Sequence, residues 1–521
     1  MSTLLEKVSS FYVLEDSNPK TERRISWLIP FEIVILIATA LRIYQLGAEN
    51  LWIDEAFSLR DVSTDFTIAK AARPLYFWIL TPFYEINQED WFLRIPAVLF
   101  GIATTALIFH IGRMIWDTKA GTIAGLLAAV SPLYINHSQE VRMYTFLTLT
   151  AVSAMYFTIR TLQTWHFRYM LATAVCLWFS VLTQPVSILL MLPINTMILY
   201  SFLQNRRPLL PWILTQLMVI IAWLPWLSYA FQLTNYYAEQ KFLTQMYRPG
   251  LIDIHILWSK FIIGEYGHNH TLLHSLVRIY AFILTVSAAV FVAIDRKRIE
   301  TGLIALWLLL PTIIVLVMSA TSVNTWVVRY MLFISPAFLL LVGAALSKIK
   351  SKLVLVSLCA VLLIPSAVKL FQYYTEIDRP QWRLAVQYIM DRERPQDKIA
   401  VYRHSNSIVF DHYYKGRLHW DEVLPTQFLA NEEDEFEEWN EQTARKLLDT
   451  ISKTGSRHWL VLARIPRGSG EYIDAVLQSD YRVLEHKKFN EVSIYLFENK
   501  AKSAALQNND LGLSRNNGSR M

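Results

Sequence analysis

Two short stretches of the chain carry the side chains best able to do chemistry. Leu51-Trp52-Ile53-Asp54-Glu55-Ala56 sets two carboxylates side by side a few residues past an apolar run. Ser138-Gln139-Glu140-Val141-Arg142-Met143-Tyr144 sets a third carboxylate beside an arginine and a tyrosine, between two further apolar runs. Carboxylates beside a bilayer are costly unless they bind something, because partial loss of water penalises the charged form. Asp54 and Glu55 are therefore candidates for a general base or a metal ligand, and a divalent cation bridging Asp54 and Glu140 is the one cofactor the residues leave open. A structural reading competes, in which Asp54 caps a surface helix starting at Glu55. Glu140 and Tyr144, four apart, would share a helix face, with Arg142 well round the helix and snorkelling to the interface. A third cluster, Asn324-Thr325-Trp326 followed by Arg329-Tyr330, puts an arginine about one turn inside an apolar boundary, where it usually needs a partner. A guanidinium binds phosphate bidentately, so a lipid phosphate is one candidate partner and interface snorkelling is the alternative.

Positioning these groups falls to a chain composed for lipid. Of its 521 residues 54% are hydrophobic and only 18% charged, and the mean hydropathy is +0.29, too apolar for a string of soluble domains. Runs long enough to cross a bilayer lie at 27–46, 93–113, 119–135, 143–161, 168–182, 185–203, 211–231, 275–294, 302–319, 327–346 and 353–372. The stretch Pro74 to Ile86 is too short to cross, and its Tyr76, Phe77, Trp78, Phe83 and Tyr84 suit a helix lying at the outer membrane surface. With that assignment, five short loops on the side of the N-terminus carry twelve Lys and Arg, among them Arg113, Arg160, Arg207, Lys297 and Lys348, while three short loops opposite carry none. The positive-inside rule then gives 11 spanning helices in the cell (inner) membrane, a cytoplasmic segment at 1–26 and a transmembrane domain at 27–372 with outer loops at 47–92 and 232–274. The first apolar run reads as an uncleaved anchor.

Past Tyr374 the composition turns charged. Trp382 to Arg392 and Glu435 to Ser452 read as helices, and Lys398 to Tyr402, His458 to Ala463 and Val492 to Phe497 as strands, giving a small extracytoplasmic α/β domain at 373–500. Its acidic run Glu432 to Glu441 reads as a solvated helix face, and 501–521 as a disordered tail. Cys176 and Cys359 sit in separate apolar runs as packing residues. The net charge of +6 is spread over loops rather than gathered in a basic stripe, so no nucleic-acid partner is expected. A transporter or flippase would share the many helices, but mid-helix ionisable residues are few, Glu32 being the main one.

Five fragments in order resemble glycosyltransferase family 39 of the GT-C superfamily, whose relatives include protein O-mannosyltransferases and lipid A aminoarabinose transferase. They are Leu41-Arg42-Ile43-Tyr44-Gln45-Leu46, the Asp54-Glu55 motif, Pro74-Leu75-Tyr76-Phe77, Leu93-Arg94-Ile95-Pro96-Ala97-Val98-Leu99-Phe100-Gly101 and the Glu140 motif. The resemblance implies transfer of a sugar from a polyprenyl-phosphate donor to a lipid, glycan or protein acceptor, with inversion, outside the cytoplasmic membrane. It implies Asp54 as base or metal contact with Glu55 its partner, Glu140 as the second acidic residue, and Arg142 and Tyr144 lining the donor cavity. Arg329-Tyr330 fits the bacterial branch as a further donor contact. Where family members carry His-Pro-Pro-Leu-Tyr or Lys-Pro-Pro-Leu, this chain reads Ala72-Arg73-Pro74-Leu75-Tyr76, so the basic residue assigned to the donor phosphate, Arg73, is displaced by one and a proline is lost.

Overall fold

The computed structural model describes residues 27–239, 248–264, 271–295, 298–321, 326–376, 379–423, 440–452, 457–465 and 468–499. Asn324, Thr325, Lys297, the N-terminal segment, most of the acidic run and the expected tail lie outside the described residues.

The apolar runs become helices. The chain begins with α1 (Leu28–Ile43) and then a cluster of short elements: α2 (Ile53–Ser63), α3 (Ile68–Ala72), α4 (Pro74–Ile86) and α5 (Asp90–Leu93). Proline at the start of α4 costs no hydrogen bond there and presets the helical φ. Tyr76, Phe77 and Leu80 of that helix are buried in the main core, while Trp78 faces outward against Trp226. Next come α6 (Ile95–Ile115), α7 (Thr118–Val130), α8 (Pro132–Ser138), α9 (Tyr144–Thr164) and α10 (Phe167–Thr183). A 3-10 turn (Pro185–Leu190) leads into α11 (Met191–Asn205), followed by α12 (Leu210–Glu239), α13 (Asp253–Ile263), α14 (Thr271–Ile294) and α15 (Ile299–Thr321). A second 3-10 turn (Val328–Ile334) precedes α16 (Ser335–Ser347), and α17 (Lys352–Thr375) closes the bundle.

One run that reads as continuous is broken, and another changes helix type along its length. The stretch 119–135 bends by 57° between α7 and α8, because Ser131 ends one helix and caps the next while Pro132 has no N–H to continue the ladder. The stretch 327–346 begins as a 3-10 turn that holds Arg329. Among the described residues six helices are long and apolar enough to cross a membrane, or seven if the bent pair forms one span, against the 11 expected. Helix α1, with 16 residues, and α10, with 17, fall short in length, and α9 is rich in threonine. Leu36, Ile221, Val356 and Phe371 stand exposed on the bundle exterior, an apolar surface suited to lipid rather than water. Where α6 meets α7, a Cβ on Gly112 would come within 2.9 Å of the Gly121 backbone, so glycine allows the two helices to touch.

The basic loops and the acidic motifs lie at opposite ends of the bundle. At one end Arg298 donates to the Ile115 carbonyl and Lys119 to the Ile349 carbonyl, both at 2.6 Å, and Arg207 reaches Leu162 O at 3.3 Å, so the basic loops meet there. The acidic motifs gather at the other end of α6, whose 21 residues separate the two by about 32 Å at 1.5 Å per residue.

Beyond α17 the chain forms a five-stranded sheet of order β2-β1-β3-β5-β4, from β1 (Lys398–Tyr402), β2 (Trp420–Val423), β3 (Arg457–Ala463), β4 (Tyr481–Phe489) and β5 (Val492–Asn499). Strands β1, β2 and β3 are parallel, and β5 runs antiparallel to both β3 and β4. Helices α18 (Trp382–Met390), α19 (His404–Tyr413), α20 (Glu441–Ile451) and α21 (Ser469–Asp480) cover it. Both faces of the sheet are buried, which explains the unbroken apolar run of β3.

Candidate active site

The site is built on the first turn of α2. Trp52 is the N-cap, in extended conformation, and Glu55 at the third helical position returns its Oε2 to the Trp52 N–H at 3.2 Å. Capping is thus done by Glu55, and the expectation that Asp54 caps a helix beginning at Glu55 is corrected: the helix begins at Ile53, and the Asp54 carboxylate is left facing out of the turn.

Glu55 is fully buried and saturated. Arg94 donates to its Oε1 at 3.1 Å and to its Oε2 at 3.3 Å, the Val141 N–H donates to Oε1 at 2.8 Å, and Arg379 donates to Oε2 at 2.6 Å. These donors, with the Trp52 N–H, occupy both carboxylate oxygens. In the fold Glu55 clamps the two acidic motifs together.

The second motif is not a helix. Helix α8 ends at Ser138 and α9 starts at Tyr144, and the residues between form a turn, so Glu140 and Tyr144 do not share the helix face their spacing implied. The turn points Glu140 inward, where Oε1 accepts from Asn136 at 3.0 Å and from Arg379 at 3.3 Å, and Oε2 meets His137 Nδ1 at 2.8 Å. Burial alone would raise its pKa, but His137, Arg379 and Arg329 outweigh that and hold it at about 2. The same turn sends Arg142 the other way: Nη1 donates to Asp54 O at 2.8 Å and to Ser58 Oγ at 2.9 Å, pinning the first turn of α2 from outside.

Asp54 is the carboxylate left accessible, its side chain 25% exposed, with Arg329 Nη2 3.5 Å from Oδ2. Arg329 also lies over the Trp52 and Tyr330 rings, at 5.6 and 5.5 Å from their centres. Tyr144 is buried between His137, Arg142 and Tyr330. The Nε groups of Arg73, Arg142 and Arg329 are all buried without an acceptor, which is costly in a finished core and ordinary in a site that receives an anion. Arg73 sits at the junction of α3 and α4, and α4 packs on α2.

The donor set does not suit the bridging cation. Both oxygens of Glu140 already face Asn136, Arg379 and His137, Asp54 faces Arg329, and among the described residues no three His, Cys, Asp or Glu side chains are placed to hold a metal ion.

Arg379 is the site residue that sequence reasoning missed. It follows the last helix of the bundle, 11% exposed, and ties Glu55 to Glu140 while donating to Asn50 O at 3.3 Å. The sheet region holds it there: Asn490, in the β4–β5 turn, donates to the Arg379 carbonyl at 3.2 Å and exchanges hydrogen bonds with Gln381. Beside it Asp90 accepts from Arg383 and Tyr413 at 2.7 Å each and pairs with His412 at 3.1 Å, docking α18 and α19 on the outer cluster. Its one signal in sequence is an arginine just beyond the last apolar run.

With this geometry in place, the architecture can be assigned: it is the fold of the GT-C membrane glycosyltransferases, as the five fragments implied. Crystallised ArnT from Cupriavidus metallidurans, bound to undecaprenyl phosphate, superposes with a TM-score of 0.58 over 91% of this chain and 98% of its own, at 14% identity. The archaeal oligosaccharyltransferase AglB from Archaeoglobus fulgidus, in complex with an inhibitory peptide and a dolichol-phosphate, gives 0.52 over 91% of this chain and 74% of its own, at 11% identity. The family model for dolichyl-phosphate-mannose-protein mannosyltransferase matches residues 70–229, a segment that holds Arg73, Glu140, Arg142 and Tyr144 and starts after Asp54. No curated protein matches the chain.

Proposed function

We propose that this chain is an inverting glycosyltransferase that moves a sugar from a polyprenyl-phosphate donor to a hydroxyl of a lipid, glycan or protein acceptor. The observation that carries this reading is Asp54: a carboxylate relieved of capping by Glu55, accessible, and 3.5 Å from an arginine whose Nε is buried without an acceptor among the described residues. An acceptor hydroxyl is a poor nucleophile at neutral pH, and a positioned carboxylate that takes its proton contributes about 10² to 10⁴ in rate. As the hydroxyl oxygen bonds to the anomeric carbon from one face, the bond to the phosphate oxygen breaks on the other and the lipid phosphate leaves with the electron pair. Arg329 beside Asp54, with Arg142 and Arg73 as further cations whose Nε lacks an acceptor, offers the leaving phosphate fixed positive charge. Glu55, Glu140 and Arg379 hold this frame without touching the reacting atoms.

The reading includes 11 spans with the acidic end outside the cell membrane, the N-terminus in the cytoplasm and the sheet region outside. The meeting of the basic loops at the end away from Asp54 supports it. Glu32, the mid-helix residue a transport route would use, is exposed on the outside of α1 and offers no internal path. The test is a thin-layer assay of purified protein with a panel of polyprenyl-phosphate sugars and with nucleotide sugars. Transfer is expected from the lipid-linked donors alone; transfer from a nucleotide sugar, or binding of none of the lipid-linked donors, removes the proposal.

A further inference from the structure

The end of the bundle opposite Asp54 holds a cavity of about 600 Å³, lined by His110, Arg113, Asp117, Thr118, Tyr156 and Arg160. Arg160 lies sixteen residues along α9 from Tyr144, about 24 Å at the helical rise, so this cavity is separate from the site already described. Basic residues are expected at this end, and most of them are spoken for: Lys119, Arg207 and Arg298 bond carbonyl oxygens, and Arg298 also pairs with Asp295. The cavity's cations are not. Arg113 lies flat over Trp27 at 4.1 Å, and Arg160 meets only Gln163 Oε1 at 3.3 Å and Tyr169 OH at 3.4 Å, its Nε buried without an acceptor. Neither guanidinium forms an ion pair among the described residues, and His110 has a ring neighbour, Tyr156, but no polar partner there. The one acid, Asp117, is already compensated: Oδ1 accepts from the Ala120 N–H at 2.7 Å as the cap of α7, and Oδ2 faces Ser347 at 3.4 Å and Lys348 at 3.8 Å.

Two unpaired guanidiniums, an imidazole and the N-terminal end of α7 converge on one hollow at the level where an apolar bundle gives way to charged loops. We propose that this cavity binds a phosphate group, carried by an anionic membrane lipid of that face or by a small soluble phosphate. The planar forks of Arg113 and Arg160 supply paired N–H donors to the phosphate oxygens, and Met114 and Tyr156 of the lining would meet glycerol and the upper acyl chain.

The test uses the full chain in a neutral detergent and native mass spectrometry with added dioleoylphosphatidylglycerol or dioleoylphosphatidylcholine. Wild type is expected to retain one phosphatidylglycerol in preference to phosphatidylcholine. The double variant Arg113→Gln/Arg160→Gln is expected to lose that preference at least about tenfold, while Lys352→Gln, an exposed cation at the same end outside the cavity, keeps it. Arg113→Lys/Arg160→Lys, which keeps the charge and is gentler on folding, should fall between, because an ammonium lacks the fork. Inorganic phosphate is the second arm: displacement of the lipid by phosphate, or retention of phosphate without lipid, keeps the site and assigns the soluble source. Equal retention by wild type and both double variants overturns the proposal, and so does an equal loss in Lys352→Gln, which would mark diffuse surface charge.

Discussion

At the scale of single residues the site separates two carboxylates that stand side by side in sequence. Asp54→Asn should lower turnover by at least about 10² with little change in donor KM, because the lost interaction forms mainly in the transition state. Glu55, not Asp54, caps the helix, so the thermal midpoint of Asp54→Asn should match wild type. Turnover near wild type in a folded Asp54→Asn protein would remove the base from the mechanism. Glu140 makes a different prediction, in stability. Its pKa lies below the ordinary 4.5, at about 2, so ionised Glu140 contributes stability that is whole above pH 4.5 and is lost as pH falls through about 2. The gap in thermal midpoint between wild type and Glu140→Gln should therefore be constant from pH 7 to about 5 and close below it; a gap that closes near neutrality contradicts the pairing with His137 and Arg379. Local chemistry of this kind was legible in part: the Asp54 and Glu140 motifs stand out by type and spacing. The division of labour was not, because it depends on Arg94 and Arg379, which lie 39 and 324 residues from Glu55 in sequence.

At the scale of elements, the lesson lies in the breaks. Helix α4 matches its expected bounds, Pro74 to Ile86, because proline fixes one end and the aromatic run the other. The bend at Ser131-Pro132 and the 3-10 turn around Arg329 were not visible, since hydropathy runs unbroken through them while hydrogen bonding does not; the loop around Glu140 was visible, but not that its turn from Gln139 to Met143 keeps Glu140 and Tyr144 off one helix face. Those interruptions aim the site's side chains, as breaks in membrane helices do when they line a cavity. Arg379 itself stands between α17 and α18, at the junction of bundle and sheet. Arg379→Gln removes one partner from two buried carboxylates, which typically costs about 3 to 5 kcal/mol. Asn490→Ala loosens only its backbone tether and should cost less, near the 1 to 3 kcal/mol or so of an unmade buried hydrogen bond. Chemical unfolding in mixed micelles gives both values; a larger loss for Asn490→Ala would mean that the sheet region, not the ion pairs, holds this end together.

At the scale of the whole molecule, composition announced a membrane protein, and its short loops announced one basic side. Reporter fusions after Arg207 and Lys297 should read cytoplasmic and one after Gln396 should read outside; a cytoplasmic signal after Gln396 would put α4 across the membrane and invert the proposed site. The α/β elements after Tyr374 were read only in outline. The strands Lys398–Tyr402 and Val492–Asn499 are apolar enough to be seen, whereas α19 (His404–Tyr413), β2 (Trp420–Val423) and β4 (Tyr481–Phe489) are too short or too polar to announce themselves from pattern alone. Arg379 also has a temporal consequence. Glu55 and Glu140 leave the ribosome early, and the guanidinium that joins them follows roughly 240 residues later, a wait of about 10 to 50 s at ordinary rates of synthesis. During that interval the first half of the bundle holds a hub short of one positive charge, and Asn490, which tethers Arg379, is made later still. Birth order thus dates the site: its polar centre is completed only once the chain beyond the final helix has been made.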